Sequence, residues 1–420
     1  MHIELITTGD ELVSGQIVDT NSPWLMDRLF AAGELVRRKL AIGDEFEDIV
    51  SALREAASRA DLVIVSGGLG PTLDDMTVDA ACKAFGHEPV VDEAQLARIA
   101  AIFTRIDRPL TPNNERQARV PAGAEVLGND FGTATAFVLH ERERQCELFF
   151  LPGVPRELKG LCEKHLFPRL KARAAAAGVH RCYRAVKCYG IPESHMDQAV
   201  RPLLERHPHV RYGTRTSFPE NHVKLLAEGA TPQEAQARCE ALEVEVRKAL
   251  GRAVYGGAED TFAGATLQAL RGRGWRVCFA ESLTAGLAAS LLADAPGASD
   301  VLLGSSVTYA TGLKERWLGV PHELIEREGA VSEACARAMA EGALVASGAD
   351  VAVSLTGYAG PEGGEEGRPA GTVFAAVAGG GLPTKVVERR MPFDRNQVRR
   401  GAAYMALELL RRRALGLERE

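Results

Sequence analysis

Residues 62–77 read LVIVSGGLGPTLDDMT, an unbroken apolar run that ends in a glycine-rich loop. A continuous run such as Leu62 to Val65 predicts a strand covered on both faces, as in a parallel sheet. Upstream, Ile3–Thr8 predicts a second strand, and the following helix is expected to have Ser22 as its N-cap and Pro23 at its first position. Strand and helix patterns alternate up to about residue 168. We therefore predict a doubly wound α/β domain over residues 1–168.

Two further regions follow this domain. Residues 175–255 hold shorter elements, with strands at Ala185–Tyr189, near Val210 and at Val223–Ala227 and a helix at Thr231–Leu250, and they predict a small α+β connector. From residue 261 to residue 420 a second strand–helix alternation begins, with a strand at Arg276–Ala280. The expected fold class is thus α/β, with two doubly wound α/β domains joined by a small α+β connector.

Composition and charge narrow the function classes. The chain has 420 residues and a formal net charge of −6, which argues against a protein that binds nucleic acid through its overall charge. The N-terminus lacks the basic and apolar regions of a signal peptide, and no apolar run approaches the ~20 residues of a membrane span. The eight cysteines form no C-x-x-C pair and are expected to be reduced. We expect a cytoplasmic enzyme with no membrane contact and no direct nucleic-acid partner.

The segment AESLTAG at residues 280–286 places Ser282 between a strand and a helix. A hydroxyl on such a turn lies beside free backbone N–H groups and about half a positive charge from the helix dipole. The position can activate a serine and stabilise an oxyanion, or bind a phosphate. The simpler alternative is that Ser282 or Thr284 only caps the helix.

A base for Ser282 has few candidates. From residue 261 onward the chain contains one histidine, His322, and two lysines, Lys314 and Lys385, so a Ser-His-Asp triad is poorly supported. Arginine cannot act as a base near neutral pH, whereas a lysine desolvated in a closed pocket can. Lys314 follows the strand that ends at Tyr309 and is the candidate base. The alternative is a solvated lysine in the first turn of a helix.

Two more loops follow predicted strands. Thr356–Pro361 lies where ligands bind in open α/β sheets, although a flexible hairpin would fit the same residues. Near the N-terminus, the glycines after Val65 allow close backbone approach to a phosphate, and the paired Asp74 and Asp75 can hold a divalent cation. The alternative there is a turn with a capping aspartate.

Taken in order, the C-terminal motifs resemble the C-terminal domain of the CinA family, the nicotinamide mononucleotide deamidases. The matching stretches are residues 280–286, 309–314 with 318–320, 329–333, 356–361, 368–373, and 393–395 with 398–399. The resemblance implies that Ser282 is the nucleophile, Lys314 its base and Tyr309 a supporting catalytic group. It also implies a substrate site built from Glu281, Thr284, Gly286, Ser299, Thr356, Gly357 and Gly360, with Arg395 or Arg399 holding the phosphate and no cofactor. The family often has Cys and Gly where this chain has Leu283 and Ala285, and the bulk of Ala285 is expected to shift the turn.

The N-terminal motifs resemble the molybdopterin-binding domain found in molybdenum-cofactor enzymes and in the N-terminal half of CinA proteins. The matching stretches are residues 8–12, 15–21, 66–77, 114–118 and 151–157. The resemblance implies a metal-dependent ADP-ribose pyrophosphatase with Asp74 and Asp75 as metal ligands. It implies substrate contacts from Gly9, Asp10, Gly67, Gly68, Gly70, Thr72, Asn114 and Gly153. Thr135-Ala136 replaces an expected Pro-Gly, and this change is predicted to narrow the pocket.

The connector resembles the small KH-like domain of the same proteins. It lacks the G-x-x-G loop with which KH domains clamp nucleic acid, so we interpret it as a spacer.

Three functional hypotheses follow. The first is a homodimeric deamidase of nicotinamide mononucleotide with an attached ADP-ribose pyrophosphatase, both acting on pyridine nucleotides. The second is a non-enzymatic competence or DNA-damage adaptor that binds a recombinase. The third, a molybdopterin-binding or adenylyl-transfer protein, leaves residues 261–420 unexplained.

Overall fold

The computed structural model describes residues 1–141, 143–364 and 367–418. The chain divides into two compact units, one formed by Met1–Tyr183 with Leu226–Ala237 and the other by Arg184–Leu225 with Arg238–Glu420. The predicted α/β fold class is confirmed, with a mixed sheet near each end of the chain. Among the described residues, no helix is long and apolar enough to cross a membrane.

The N-terminal domain is built on a six-stranded sheet of order β2-β1-β3-β8-β7-β6. Its strands, with a separate β4–β5 pair, are β1 Ile3–Thr8, β2 Val36–Ile42, β3 Leu62–Ser66, β4 Pro89–Val91, β5 Arg119–Pro121, β6 Glu125–Leu127, β7 Ala136–Glu141 and β8 Cys146–Leu151. Its helices are α1 Asp10–Val13, α2 Asn21–Ala31, α3 Phe46–Ala57, α4 Thr77–Phe85, α5 Glu93–Arg105, α6 Pro112–Glu115, α7 Pro155–Leu161 and α8 Phe167–Ala176.

The first four strands of that sheet are parallel, and hydrophobic cores cover both of its faces, as the apolar run at Leu62–Val65 predicts. The parallel arrangement brings the carboxyl ends of β1, β3 and β8 to one edge. The start of α2 differs from the prediction. Ser22 is a buried residue inside the helix, and its backbone N–H donates to the side chain of Asp19.

The connector contains a four-stranded sheet of order β10-β11-β9-β12. Its elements are β9 His180–Tyr189, α9 Glu193–Leu204, β10 Val210–Ser217, β11 Glu220–Gly229, α10 Pro232–Leu250 and β12 Val254–Gly256.

The C-terminal domain is built on a five-stranded sheet of order β14-β13-β15-β16-β17, in which β13, β14 and β15 are parallel. Its elements are α11 Phe262–Arg273, β13 Val277–Glu281, α12 Leu287–Ala293, β14 Leu302–Val307, α13 Thr311–Leu318, α14 His322–Glu328, α15 Glu333–Ser347, β15 Val351–Gly357, β16 Thr372–Gly379, β17 Leu382–Arg390 and α16 Arg395–Leu415. One core packs α11, α12 and α16 on one face, and smaller cores lie under α15 on the other. Ser282 directly follows β13, at the carboxyl edge of these parallel strands.

Candidate active sites

Ser282 and Lys314 lie within hydrogen-bond distance of each other. The Lys314 Nζ contacts Ser282 Oγ at 3.1 Å and donates to the Thr308 carbonyl at 2.7 Å. Ser282 is fixed from the neighbouring strand, since its backbone N–H donates to the Leu355 carbonyl. A nucleophile in direct contact with a base is the arrangement that hydroxyl activation requires.

Lys314 is buried, with only 2% of its surface exposed. Burial lowers the pKa of this amine, although the nearby Cys335 thiol opposes the shift. Desolvation penalises the ammonium form because the charge loses its hydration. The alternative of a solvated first-turn lysine is therefore wrong. His322, unlike Lys314, is exposed. Its contact with Glu315 raises the pKa of its imidazole.

The turn after Ser282 bends sharply into α12. Ala285 has φ +51° and Gly286 has φ +93°, so both residues adopt the left-handed conformation. The backbone N–H groups of Leu283 and Thr284 donate to no acceptor among the described residues. Free N–H groups one and two residues beyond a nucleophile are suitable donors to an oxyanion.

Arg399 holds this turn from α16. Its Nε donates to the Leu283 carbonyl at 3.2 Å and its Nη2 to the Thr284 carbonyl at 3.1 Å. Because the peptide group is planar and trans, a carbonyl turned toward Arg399 directs the next N–H to the opposite side. The guanidinium is thus engaged with protein carbonyls, which fits a support for the turn better than a phosphate ligand.

Arg395 lies one turn earlier on α16 and is exposed. Its Nη2 donates to the Tyr309 hydroxyl at 2.9 Å and its Nη1 to the Gly360 carbonyl at 2.7 Å. Tyr309 is itself 56% exposed. Arg395, Tyr309 and Gly360, three predicted site residues from separate segments, therefore meet. The Arg395 side chain is exposed, so an anionic group can reach its guanidinium.

Glu281 is fully buried below the turn. Its carboxylate accepts the N–H groups of Ala288 and Ala289, both at 3.0 Å, and the Ser305 hydroxyl at 3.1 Å. Glu281 therefore fixes the start of α12, and the substrate contact expected for it is not supported.

The fully buried hydroxyls of Thr284 and Thr308 have no partner in the described part of the chain. Sequence reasoning missed Thr308 because its contribution to Lys314 is a backbone carbonyl.

Ser299 lies away from Ser282, whereas Thr356 and Gly357 lie at the carboxyl end of β15, the strand paired with β13. Ser299 lies in a short 3₁₀ turn before β14, and the parallel register pairs Val277 with Leu302 and Glu281 with Val307. Ser299 is thus at the opposite sheet edge from Ser282, and its predicted site role is corrected. Thr356 donates its hydroxyl to the Ala330 carbonyl at 2.7 Å, and Gly357 ends β15.

The N-terminal domain has a cleft of about 500 Å³ at the carboxyl ends of β1, β3 and β8. Of the residues predicted for this site, Gly9, Gly67, Gly68, Gly70, Asp74, Asp75, Asn114 and Gly153 line it. A Cβ at Gly67 would lie 2.5 Å from the Thr8 carbonyl, so only glycine fits there. Sequence reasoning also missed the Thr8 hydroxyl. Thr8 lines the cleft and is 5% exposed, and its hydroxyl has no partner within the part of the chain that the structure describes.

The cleft is strongly acidic. Its lining contains five carboxylates and no lysine or arginine among the described residues: Glu11, Asp44, Asp74, Asp75 and Glu157. Burial raises the pKa of Asp44, and repulsion from Asp10, Glu11 and Asp74 adds to the shift. This charge suits a divalent cation. In the described residues, however, no three acidic, histidine or cysteine side chains are already arranged as a metal cage.

Three predicted residues have structural partners here. The carboxylate of Asp75 accepts both the N–H and the hydroxyl of Thr72, so this acid already braces its own loop. The backbone N–H groups of Asp10 and Asp44 each donate to the side-chain carboxylate of the other residue, and among the described residues neither Asp10 nor Thr72 lines the cleft. Asp10 and Thr72 thus have partners within the protein, and the substrate contacts expected of them stay predictions.

Among the described residues, neither Thr135 nor Ala136 lines this cleft, and the narrowing expected from this pair stays a prediction. Ala136 is fully buried in the core at the start of β7, and the cleft is lined instead by Thr133 and Ala134.

Comparison with known proteins matches three family models in order along the chain. They are described as "Probable molybdopterin binding domain" (residues 4–172), "Damage-inducible protein CinA KH domain" (183–256) and "CinA C-terminal domain" (259–414). A CinA-like protein of Myxococcus xanthus is 44% identical over 99% of each chain, and one of Anaeromyxobacter sp. (strain Fw109-5) is 45% identical over 98% of each. A crystal structure of a competence-damaged protein (CinA) superfamily protein from Escherichia coli is 37% identical, covers 36% of this chain and 87% of its own, and gives a TM-score of 0.35.

Proposed function

The chain belongs to the CinA family, and from that premise we propose that its C-terminal domain deamidates nicotinamide mononucleotide to nicotinate mononucleotide and ammonia. The observation that carries this proposal is the contact between Ser282 and the buried amine of Lys314. No metal is needed for a serine–lysine hydrolysis of an amide, because the hydroxyl supplies the nucleophile and the amine moves its proton.

The geometry suggests how each group acts. In its neutral form Lys314 donates one N–H to the Thr308 carbonyl, which directs the lone pair toward Ser282. Lys314 then takes the hydroxyl proton while Oγ attacks the carboxamide carbon. The oxyanion is expected to accept the free N–H groups of Leu283 and Thr284. The protonated amine gives its proton to the leaving nitrogen, the C–N bond breaks, and ammonia departs. Water activated by the same amine hydrolyses the resulting ester.

Arg395 is the candidate for the substrate phosphate. It is exposed beside Tyr309, whereas Arg399 is engaged with the turn carbonyls. A planar guanidinium can bind two phosphate oxygens while it keeps its charge at any working pH.

The proposal is tested by incubating the purified chain with nicotinamide mononucleotide and measuring ammonia and nicotinate mononucleotide together. We expect stoichiometric release of both products by the parent chain and none by Ser282→Ala, whose turn tolerates alanine. If the parent chain forms neither product, the proposal fails.

We propose a second activity, metal-dependent hydrolysis of ADP-ribose, for the N-terminal cleft. Its support is the acidic lining, because a pyrophosphate cannot enter such a cleft unless a divalent cation neutralises its charge. Asp74, with Glu11 and Asp44, could hold that cation, since Asp75 is engaged with Thr72. The test measures AMP release from ADP-ribose with and without added Mg²⁺ for the parent and for Asp74→Asn. Equal release without any divalent ion would contradict the assignment.

A further inference from the structure

The turn between β10 and β11 packs on the first turns of α16. We call this turn, Phe218–Glu220, the hairpin tip. The Phe218 ring meets the Phe393 ring edge to face, with centroids 5.0 Å apart and planes at 72°. It also lies against the helix at Gly401, where an added Cβ would lie 3.6 Å from Phe218 Cζ and 2.9 Å from Met391 Sδ. Glycine inside a helix costs about 1 kcal/mol relative to alanine, and here it leaves room for Met391, whereas the distance to Phe218 is an ordinary van der Waals contact.

Glu220 makes a second connection to the same helix. Its carboxylate accepts the Tyr404 hydroxyl at 2.7 Å, the Tyr255 hydroxyl, and a contact from His222 at 3.2 Å. Burial alone would raise the pKa of Glu220, but the bonds from His222 and the two tyrosines lower it. An ionised carboxylate with three partners in a half-buried place forms a strong, directional contact.

The same helix segment reaches the Ser282 turn. Asp394 caps α16 by accepting the N–H groups of Asn396 and Gln397. Within the next two turns, Arg395 reaches Tyr309 and Gly360, and Arg399 reaches the carbonyls of Leu283 and Thr284. A small movement of α16 would therefore move both arginines away from their acceptors.

We propose that the hairpin tip is a positioning element of the deamidase site. In this proposal Phe218 and Glu220 hold α16 where Arg399 reaches the Ser282 turn and Arg395 reaches Tyr309 and Gly360. This inference rests on the proposed deamidase function. It gives this part of the connector a positioning role in the deamidase site, whereas the sequence indicated a spacer. Neither residue touches the reacting atoms, so each acts through the two arginines.

The test uses the full chain with Phe218→Ala, Glu220→Gln and Tyr404→Phe. We expect kcat to fall about ten- to hundredfold for Phe218→Ala, the range in which a small misplacement of catalytic groups operates. Phe218→Tyr, which keeps the ring, should restore most of the activity. Hydrogen exchange of the backbone N–H groups of Ala285 and of residues 287–289, which donate hydrogen bonds in the parent chain, should be faster in Phe218→Ala, a readout that does not depend on turnover.

Tyr212→Phe is the matched control, because it removes a hydroxyl that donates to Asp197 within the connector. We expect it to leave both kcat and exchange unchanged. If Phe218→Ala does not fold, the test is carried by Glu220→Gln, which removes the charge but keeps the shape of the side chain, and by Tyr404→Phe, which removes one hydroxyl. Unchanged kcat, KM and exchange at Ala285 and residues 287–289 in the folded variants would overturn the inference. A parent chain without deamidase activity would instead overturn the proposed function, while the exchange result would still report on the coupling.

Discussion

Replacing Lys314 separates its role as a base from its role as a cation. Arginine keeps the positive charge but cannot accept a proton near neutral pH, and methionine keeps much of the length without any charge. A positioned general base contributes roughly 10²- to 10⁴-fold to rate, or about 3–5 kcal/mol of barrier at 1.36 kcal/mol per tenfold. We therefore expect kcat/KM of Lys314→Arg and of Lys314→Met to fall by about 10²- to 10⁴-fold.

The two variants should differ in stability. Because burial lowers the pKa of Lys314, the amine has less affinity for a proton in the folded chain than in the unfolded chain. The unfolded chain then binds more protons, so this lysine costs stability below its unfolded pKa of about 10.4, and the cost disappears above that pH. Lys314→Met removes the cost, whereas Lys314→Arg buries a larger cation that cannot lose its charge.

The assays are ammonia release over pH 6–10 and thermal unfolding at pH 7 and pH 10. We expect Lys314→Met to have a Tm equal to or above that of the parent at pH 7, with the difference shrinking toward pH 10. The parent kcat/KM should rise with pH to a plateau reached below the range of an ordinary lysine. An arginine variant with more than about a tenth of parental activity would refute the general-base assignment, because so small a loss lies below that expected for a lost base.

Three further predictions concern the arginines of α16, the turn after Ser282 and the metal in the N-terminal cleft. If Arg395 binds the substrate phosphate, Arg395→Ala should mainly raise KM. Arg399→Ala should mainly lower kcat, because the Ser282 turn loses its support. Steady-state kinetics with the opposite pattern would exchange the roles of the two arginines. Ala285→Gly should stabilise the chain by up to about 1 kcal/mol, since glycine adopts φ +51° without strain, and a lower Tm at unchanged activity would contradict this. EDTA should abolish ADP-ribose cleavage and leave ammonia release unchanged, and inhibition of both would point to a metal in the deamidase domain.

Sequence reasoning found the parts of this molecule that are local in the chain. The apolar run at Leu62–Val65, the strand before Ser282 and the order of the motifs were enough for the fold class and for the CinA family, and both are confirmed. The pairing of Ser282 with Lys314 came from the shortage of other bases after residue 261 and from the family resemblance, and the structure places the two side chains in contact.

What sequence reasoning could not supply depends on register and on backbone groups. Ser299 precedes β14 rather than following it, and the bounds of that strand decide which sheet edge it occupies. The roles of Glu281 and Arg399 depend on N–H and carbonyl groups that no residue pattern reveals. The contact of Phe218 with α16 joins segments about 180 residues apart, beyond the reach of local periodicity.

The central claim is that Ser282 forms a covalent bond to the substrate. Rapid-quench mass spectrometry of the parent chain during turnover of nicotinamide mononucleotide tests it most directly. We predict an adduct on the peptide that contains Ser282, with the mass of the nucleotide less ammonia, and no adduct in Ser282→Ala. Normal ammonia release by Ser282→Ala, with no adduct on the parent peptide, would contradict the account.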